Sequence, residues 1–444
     1  MQPSAPQAFS WLSSLNLLVQ AKMFSKHTLL SLGLFALTSA KTITEQNPSE
    51  AEIQTARASV LPYSPVSNVK GKAFDRFVNI WIENTVRALS CGDFETTASD
   101  ENFAKLAKEG ILLTNYYAVT HPSEPNYAAS AAGDTFGMDN DDFHQIPANV
   151  STIADLFDTK KIAWGEYQED MPHAGYQGYR YPLSGSNKYV RKHNPLILFD
   201  SVTNDAVRPR QIKNFTTFYE DLKHHSLPQH FFITPNMTND AHDSNIHVAG
   251  DFLDRFLTPL LKNEYFTKDT LVLVTFDESG NYTVPNRVYS ILLGGAVPEH
   301  LKGTTDDTFY THYSIIASLS ANWGLPSLGR WDCGANLLKL VAEKTGYVNW
   351  KVDTSNLYIN ETYPGPISDN DYSKYESFWP VPATKGHCSA GHGILDNVKK
   401  TYHGRKATYN YTTSPIPYDS VSGNNVGVKF HRTINGKEEK GETV

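Results

Sequence analysis

Thr270-Leu271-Val272-Leu273-Val274-Thr275-Phe276, followed at once by Asp277-Glu278, is the stretch that decides the fold. Its apolar residues run on without alternation, which marks a strand buried on both faces rather than one with a wet side. Five further stretches read the same way: Phe77-Val78-Asn79-Ile80-Trp81-Ile82, then residues 111–117, 162–167, 230–236 and 288–294. Helix-like segments at 103–109, 151–157, 252–262 and 313–319 separate them. This succession predicts an α/β fold, a mostly parallel sheet covered by helices on both faces. There is no internal repeat, no Gly-rich phosphate loop and no dinucleotide fingerprint.

Ligands of an open parallel sheet bind beyond the carboxyl ends of its strands. Those ends are polar here. Glu83-Asn84 follows the first strand, and Asp277-Glu278 follows the stretch quoted above. Asn236, Asn239, Asp240, His242 and Asp243 follow residues 230–235. After residues 111–117 comes His121-Pro122-Ser123-Glu124-Pro125-Asn126-Tyr127, leading into the helix-forming Ala128-Ala129-Ser130-Ala131-Ala132. Ser123 alone would read as a helix cap. Carboxylates gathered without basic partners repel, so a hard cation is the natural reason to cluster them. Beside such a cation a serine hydroxyl becomes a nucleophile. The convergence favours the nucleophile over the cap. His242 lies just beyond a strand end, His312 starts a helix that can reach the rim, and His193 sits in the basic run Arg191-Lys192-His193. His121 reads as no more than a turn residue.

The totals limit the function. With 39 Lys and Arg against 47 Asp and Glu, net charge −8, no basic surplus exists to neutralise nucleic-acid phosphates. Lys26-His27 before the apolar residues 28–37 and Thr38-Ser39-Ala40 reads as a secretory leader starting at Met23, too short to span a membrane. Residues 1–22 then form an upstream extension. Secretion, to the medium or the cell wall, agrees with six glycosylation sequons, at Asn149, Asn214, Asn236, Asn281, Asn360 and Asn410. No apolar tail suggests a lipid anchor. Three cysteines, Cys91, Cys333 and Cys388, leave one pair and one odd residue in an oxidising compartment. The expected organisation is an extension and leader over 1–40, a polar linker over 41–73 and a catalytic domain over 74–345. Residues 346–444 form a loop-rich region packed on it, fraying from about Gly423.

Several of these motifs occur together in one family. Trp81-Ile82-Glu83-Asn84-Thr85, Thr120-His121-Pro122-Ser123-Glu124-Pro125-Asn126-Tyr127, Thr234-Pro235-Asn236-Met237-Thr238-Asn239-Asp240, Thr275-Phe276-Asp277-Glu278 and Gly329-Arg330-Trp331-Asp332 carry the likeness, over about residues 74–340. The chain resembles the secreted fungal acid phosphatases of the phosphoesterase family, which also holds bacterial phospholipases C, within the alkaline-phosphatase-like superfamily. The resemblance implies phosphate-monoester hydrolysis through a phosphoserine at Ser123. It implies one divalent metal ion on Glu83, Asn84, Ser123, Asp277 and Glu278. His242 and His312 would serve as catalytic histidines, and His193, Asn126 and Asp240 would hold small phosphorylated substrates. Residues 86–92, with Cys91, have no counterpart in that pattern, so Cys333 and Cys388 are the expected disulfide. A phospholipase C or other phosphodiesterase is the rival activity. A secreted glycoprotein binding without catalysis is the more distant one.

Overall fold

The computed structural model describes residues 46–84, 94–363, 365–368, 379–417 and 425–443. The leader, the upstream extension and residues 86–92 with Cys91 lie outside them. In chain order the strands are β1 (Arg76–Ile82), β2 (Ile111–Leu113), β3 (Tyr116–Tyr117), β4 (Trp164–Gln168), β5 (Arg180–Tyr181), β6 (Tyr189–Val190), β7 (Ile212–Asn214) and β8 (His230–Thr234). They continue with β9 (Thr270–Phe276), β10 (Ser290–Leu293), β11 (Thr304–Asp306), β12 (Tyr310–Thr311), β13 (Lys351–Val352), β14 (Lys429–Ile434) and β15 (Lys437–Glu442). Eight of them make the central sheet, in the order β11-β2-β10-β9-β1-β8-β4-β7.

The continuous apolar runs occupy the middle of that sheet. Every residue of β9 is buried. β1 pairs in parallel with β9 on one side and β8 on the other. Helices cover both faces, and side-chain alternation shows it. Trp81 of β1 touches Tyr127 of helix Ser123–Ala132 and stacks near His312. On the opposite face Phe276, in register with Ile82, meets Phe103 of helix Glu101–Lys108. That helix starts at Asp100, whose carboxylate accepts the Asn102 and Phe103 amides, and it buries Phe103 and Leu106 on one stripe.

Four expectations change. Residues 111–117 are two strands, not one. β2 lies in the main sheet between β11 and β10, while β3 pairs with β12 elsewhere, and the chain turns at Thr114-Asn115. The sixth apolar run, β10, is antiparallel to both β9 and β2. The loop from Asp277 to Tyr289 contains no crossover helix, and a parallel partner would need one. The polar stretch before Phe74 is not merely a linker. A capping box between Ser49 and Glu52 starts helix Glu50–Ser59, which buries Ile53. The chain after it is laid against the core through Ser64 to Asp221 and the Ala73 amide to Asn322. Finally, the tail beyond Gly427 does not fray: β14 and β15 form a hairpin that β13 extends.

A buried ionic knot ties the loop-rich C-terminal region down. Asp134 accepts the hydroxyls of Tyr363 at 2.5 Å and Tyr411 at 3.1 Å, with Arg330 at 3.5 Å. Cys333 and Cys388 are joined in a disulfide, as expected.

Candidate active site

Register places the acidic pairs side by side. Ile82 is opposite Phe276 in the β1–β9 ladder, and the Asp277 amide donates to the Ile82 carbonyl at 3.1 Å. Glu83 and Asp277 therefore leave adjacent strands at the same level. The Glu83 amide donates to the Asp240 carbonyl at 2.8 Å, which brings the loop after β8 to the same edge.

Ser123 is the first residue of its helix, and Pro122 occupies the cap position without any side-chain cap bond. The serine is thus not spent on capping. Its Oγ donates to Glu83 Oε1 at 2.5 Å. The Tyr127 hydroxyl reaches Glu83 Oε2 at 3.5 Å. His193 is buried, with Nε2 3.4 Å from Glu83 Oε1 and Nδ1 3.4 Å from Asp240 Oδ2, and its ring stacks on Tyr127. Beyond Glu83, Asn84 Nδ2 donates to Glu278 Oε1 at 2.7 Å, and His121 Nδ1 lies 2.6 Å from Glu278 Oε2.

The electrostatics follow from burial. Burial alone would raise the Glu83 carboxyl, but the His193 charge and its hydrogen bonding hold it well below the usual carboxylate range. Asp277 moves the other way: burial, then the adjacent Glu83 charge, push it well above. Among the described residues no donor group reaches Asp277 Oδ2. Burial would neutralise His193, yet Glu83 and Asp240 outweigh it and raise the imidazole to about 9. Burial likewise works against the Lys192 ammonium. Asp141, bonded to it at 2.9 Å, and Glu83 keep it above the ordinary lysine range.

The structure gathers Glu83, Asn84, Ser123, Asp277, Glu278, His193 and Asp240 at this rim. His242 stands at its outer edge, its ring 5.9 Å from that of His193 and its Nδ1 3.0 Å from Asp243. Three assigned roles do not fit. His312 is fully buried; its Nε2 donates to the Asp277 carbonyl at 2.7 Å and its Nδ1 meets the Tyr116 hydroxyl at 3.2 Å. Both nitrogens are occupied and burial lowers it to about 3, so it braces the Asp277 turn and has no proton to give. Asn126 holds the Val119 amide and the Thr120 and Pro122 carbonyls, shaping the serine turn rather than a substrate. Asp240 orients His193 and the His242 amide from a fully buried position. Arg191, beside His193, turns inward to the carbonyls of Gln177, His144 and Ile197.

Reasoning from sequence passed over His121, Lys192 and Tyr282. His121 precedes Pro122 at a strand end, the position that made Ser123 interesting, and that signal applied equally to it. Lys192 was legible as the middle of the basic run. Nothing local marks Tyr282, which reaches the site through a loop. A cavity of about 980 Å³ lined by Trp350, Phe430 and Arg432 lies under the C-terminal hairpin and includes none of these groups.

Among the described residues no three His, Cys, Asp or Glu side chains converge as a finished metal-binding set. The donors nevertheless fit a hard divalent cation in kind: the carboxylates of Glu83, Asp277 and Glu278, the Asn84 amide oxygen and the Ser123 hydroxyl, with Asp277 Oδ2 buried and without a donor among the described residues.

The phosphoesterase family pattern matches residues 38–326. A phosphate-repressible acid phosphatase of Penicillium chrysogenum is 75% identical over 93% of this chain and 98% of its own length. An acid phosphatase of Aspergillus niger is 67% identical over 94% and 99%. A phosphatidylinositol-3-phosphatase of Mycobacterium tuberculosis is 30% identical over 50% of this chain and 70% of its own. A solved protein of the alkaline phosphatase superfamily from Vibrio parahaemolyticus aligns over 61% of this chain and 73% of that one, at 13% identity and a TM-score of 0.37, too weak a likeness to argue from. The chain belongs to the phosphoesterase family and is a hydrolase of phosphoric ester bonds.

Proposed function

We propose that this hydrolase is a secreted acid phosphatase that cleaves phosphate monoesters by way of a phosphoserine at Ser123. One observation carries the mechanism: the Ser123 hydroxyl is free of any cap duty and donates at 2.5 Å to a carboxylate that is held ionised. The near full-length likeness to acid phosphatases supports the monoester class.

In the first step the Ser123 Oγ–H proton passes toward Glu83 as Oγ bonds phosphorus and the ester P–O bond breaks. The leaving alcohol takes a proton from His242, which stands at the open edge. His193, kept cationic by Glu83 and Asp240, and Lys192 offset negative charge on the phosphoryl oxygens. Water then attacks phosphorus, giving a proton back to His242, and Ser123 Oγ leaves as the P–Oγ bond breaks, taking its proton from Glu83 and releasing phosphate. A single divalent ion on Glu83, Asn84, Ser123, Asp277 and Glu278 would lower the serine hydroxyl's pKa and neutralise phosphate charge.

Secretion is part of the same reading. No helix among the described residues is long and apolar enough to cross a membrane. Of the six sequons, Asn149 and Asn410 are exposed, whereas Asn360 is buried with its amide donating to Tyr282 and Val284 carbonyls. Acid quenching during turnover of a radiolabelled monoester should trap phosphate on Ser123, and Ser123→Ala should lose both label and turnover. Dialysis against a chelator should remove activity that a divalent ion restores. Label found elsewhere, or full turnover by the alanine variant, refutes the nucleophile. Full activity after exhaustive chelation refutes the metal.

A further inference from the structure

The loop between β9 and β10 carries an aromatic ring whose placement the mechanism above does not use. Tyr282 is 54% exposed, far more than the buried groups around it. One ring face lies on His121, with centroids 3.8 Å apart and planes 24° from parallel. Its hydroxyl donates to Glu278 Oε1 at 3.4 Å. With one face covered and the hydroxyl turned to Glu278, the exposure belongs to the opposite face, open to solvent beside the reacting centre.

The loop is held in that position. Asn360 Nδ2 donates to the carbonyls of Tyr282 and Val284, both at 2.9 Å. Asn281 Oδ1 accepts the Thr283 amide at 3.0 Å, and Asn286 Oδ1 accepts the Ser279 amide at 2.9 Å. A ring pinned at its backbone, backed by an imidazole and left bare on one side is arranged as a platform. Flat groups stack on such a surface, and the gain depends on the ring rather than on its polar handle.

We infer that Tyr282 is the leaving-group platform of this site, selecting monoesters of planar aromatic alcohols over those of small aliphatic ones. The inference rests on the monoesterase reading. Ser123 supplies chemistry common to all monoesters, while Tyr282 contacts only the alcohol portion. Its contribution is therefore to substrate binding and should appear in KM.

The test measures kcat and KM for phenyl phosphate and glycerol 2-phosphate in the wild type, Tyr282→Leu and Tyr282→Phe. Leucine keeps apolar bulk and removes the ring; phenylalanine keeps the ring and removes the hydroxyl. The aryl-over-alkyl ratio of kcat/KM should fall about 5- to 10-fold in the leucine variant, through KM, and stay within about twofold in phenylalanine. An unchanged ratio in Tyr282→Leu overturns the inference. An equal fall in both variants overturns it too, because the bond to Glu278 would then carry the effect. Inhibition of the wild type provides a check that needs no variant: phenylphosphonate should bind more tightly than ethylphosphonate, and equal inhibition counts against the platform. If Ser123→Ala turned over both esters at the wild-type rate, the phosphoserine reading would fail while the ratio stayed interpretable.

Discussion

The buried ionic clusters at Asp134 and at Ser123 are built in opposite ways. Around Asp134 every partner is satisfied: Tyr363 and the Phe136 amide bond one oxygen, Tyr411 and Arg330 the other. Arg330 spends its remaining donors on the Pro380 carbonyl and the Tyr402 hydroxyl. Around Ser123 the accounts stay open. Among the described residues Asp277 Oδ2, His121 Nε2 and both carboxylate oxygens of neighbouring Glu124 are buried without hydrogen-bond partners, and His193 Nε2 meets Glu83 Oε1 only at 3.4 Å. Buried polar groups left unsatisfied cost stability, so an arrangement that keeps several together is maintained for something other than stability. The satisfied knot fastens chain segments; the less satisfied rim is where the proposed chemistry is placed.

Substitutions can break that contrast. Glu83→Gln should lower kcat/KM by about 10³-fold or more, since it removes the acceptor of the serine proton and a charge that orders His193. Its melting temperature should fall only modestly, because the pairing with His193 is lost but the burial cost of the charge and the crowding with Asp277 go with it. A large loss of stability in this variant would erase the distinction between the two centres. Arg330→Met should do the reverse. Leaving Asp134 buried without its cation costs about 3–5 kcal/mol of unfolding free energy by denaturant titration, while kcat per folded molecule is retained. Loss of kcat in folded Arg330→Met would mean that the knot also shapes the site.

A smaller effect sharpens the same comparison through pH. His230, at the start of β8, is buried and unpartnered at Nε2, and burial lowers it to about 3. The ordinary value near 6.5 applies to the unfolded chain, which therefore binds more protons as pH falls below it. Stability should fall from pH 6.5 toward 3, by at most about 1.4 kcal/mol per pH unit from this residue. His230→Phe should flatten that slope and be the more stable form at pH 4, by chemical denaturation. An unchanged slope would assign the acid sensitivity to other groups. Activity at neutral pH should be hardly altered, since His230 lies at the strand end away from the rim.

Much of this protein was legible in its sequence. The strand runs, their polar ends, Ser123 and both acidic pairs came from hydrophobic continuity and turn chemistry, which are local properties. The helix expected over 103–109 instead starts at Asp100, and the one over 151–157 at Thr152, through side chains that meet amides two or three residues away. Tertiary structure alone decided which polar residues meet. Ser123 meets Glu83 across 40 residues, and His121 meets Glu278 across 157. His312 looked catalytic until burial between Tyr116 and the Asp277 carbonyl made it a brace. β10 runs antiparallel because of its connection, not its composition. A strand announces itself through its own residues, whereas a side chain's charge and free valences are set by whatever the fold packs against it.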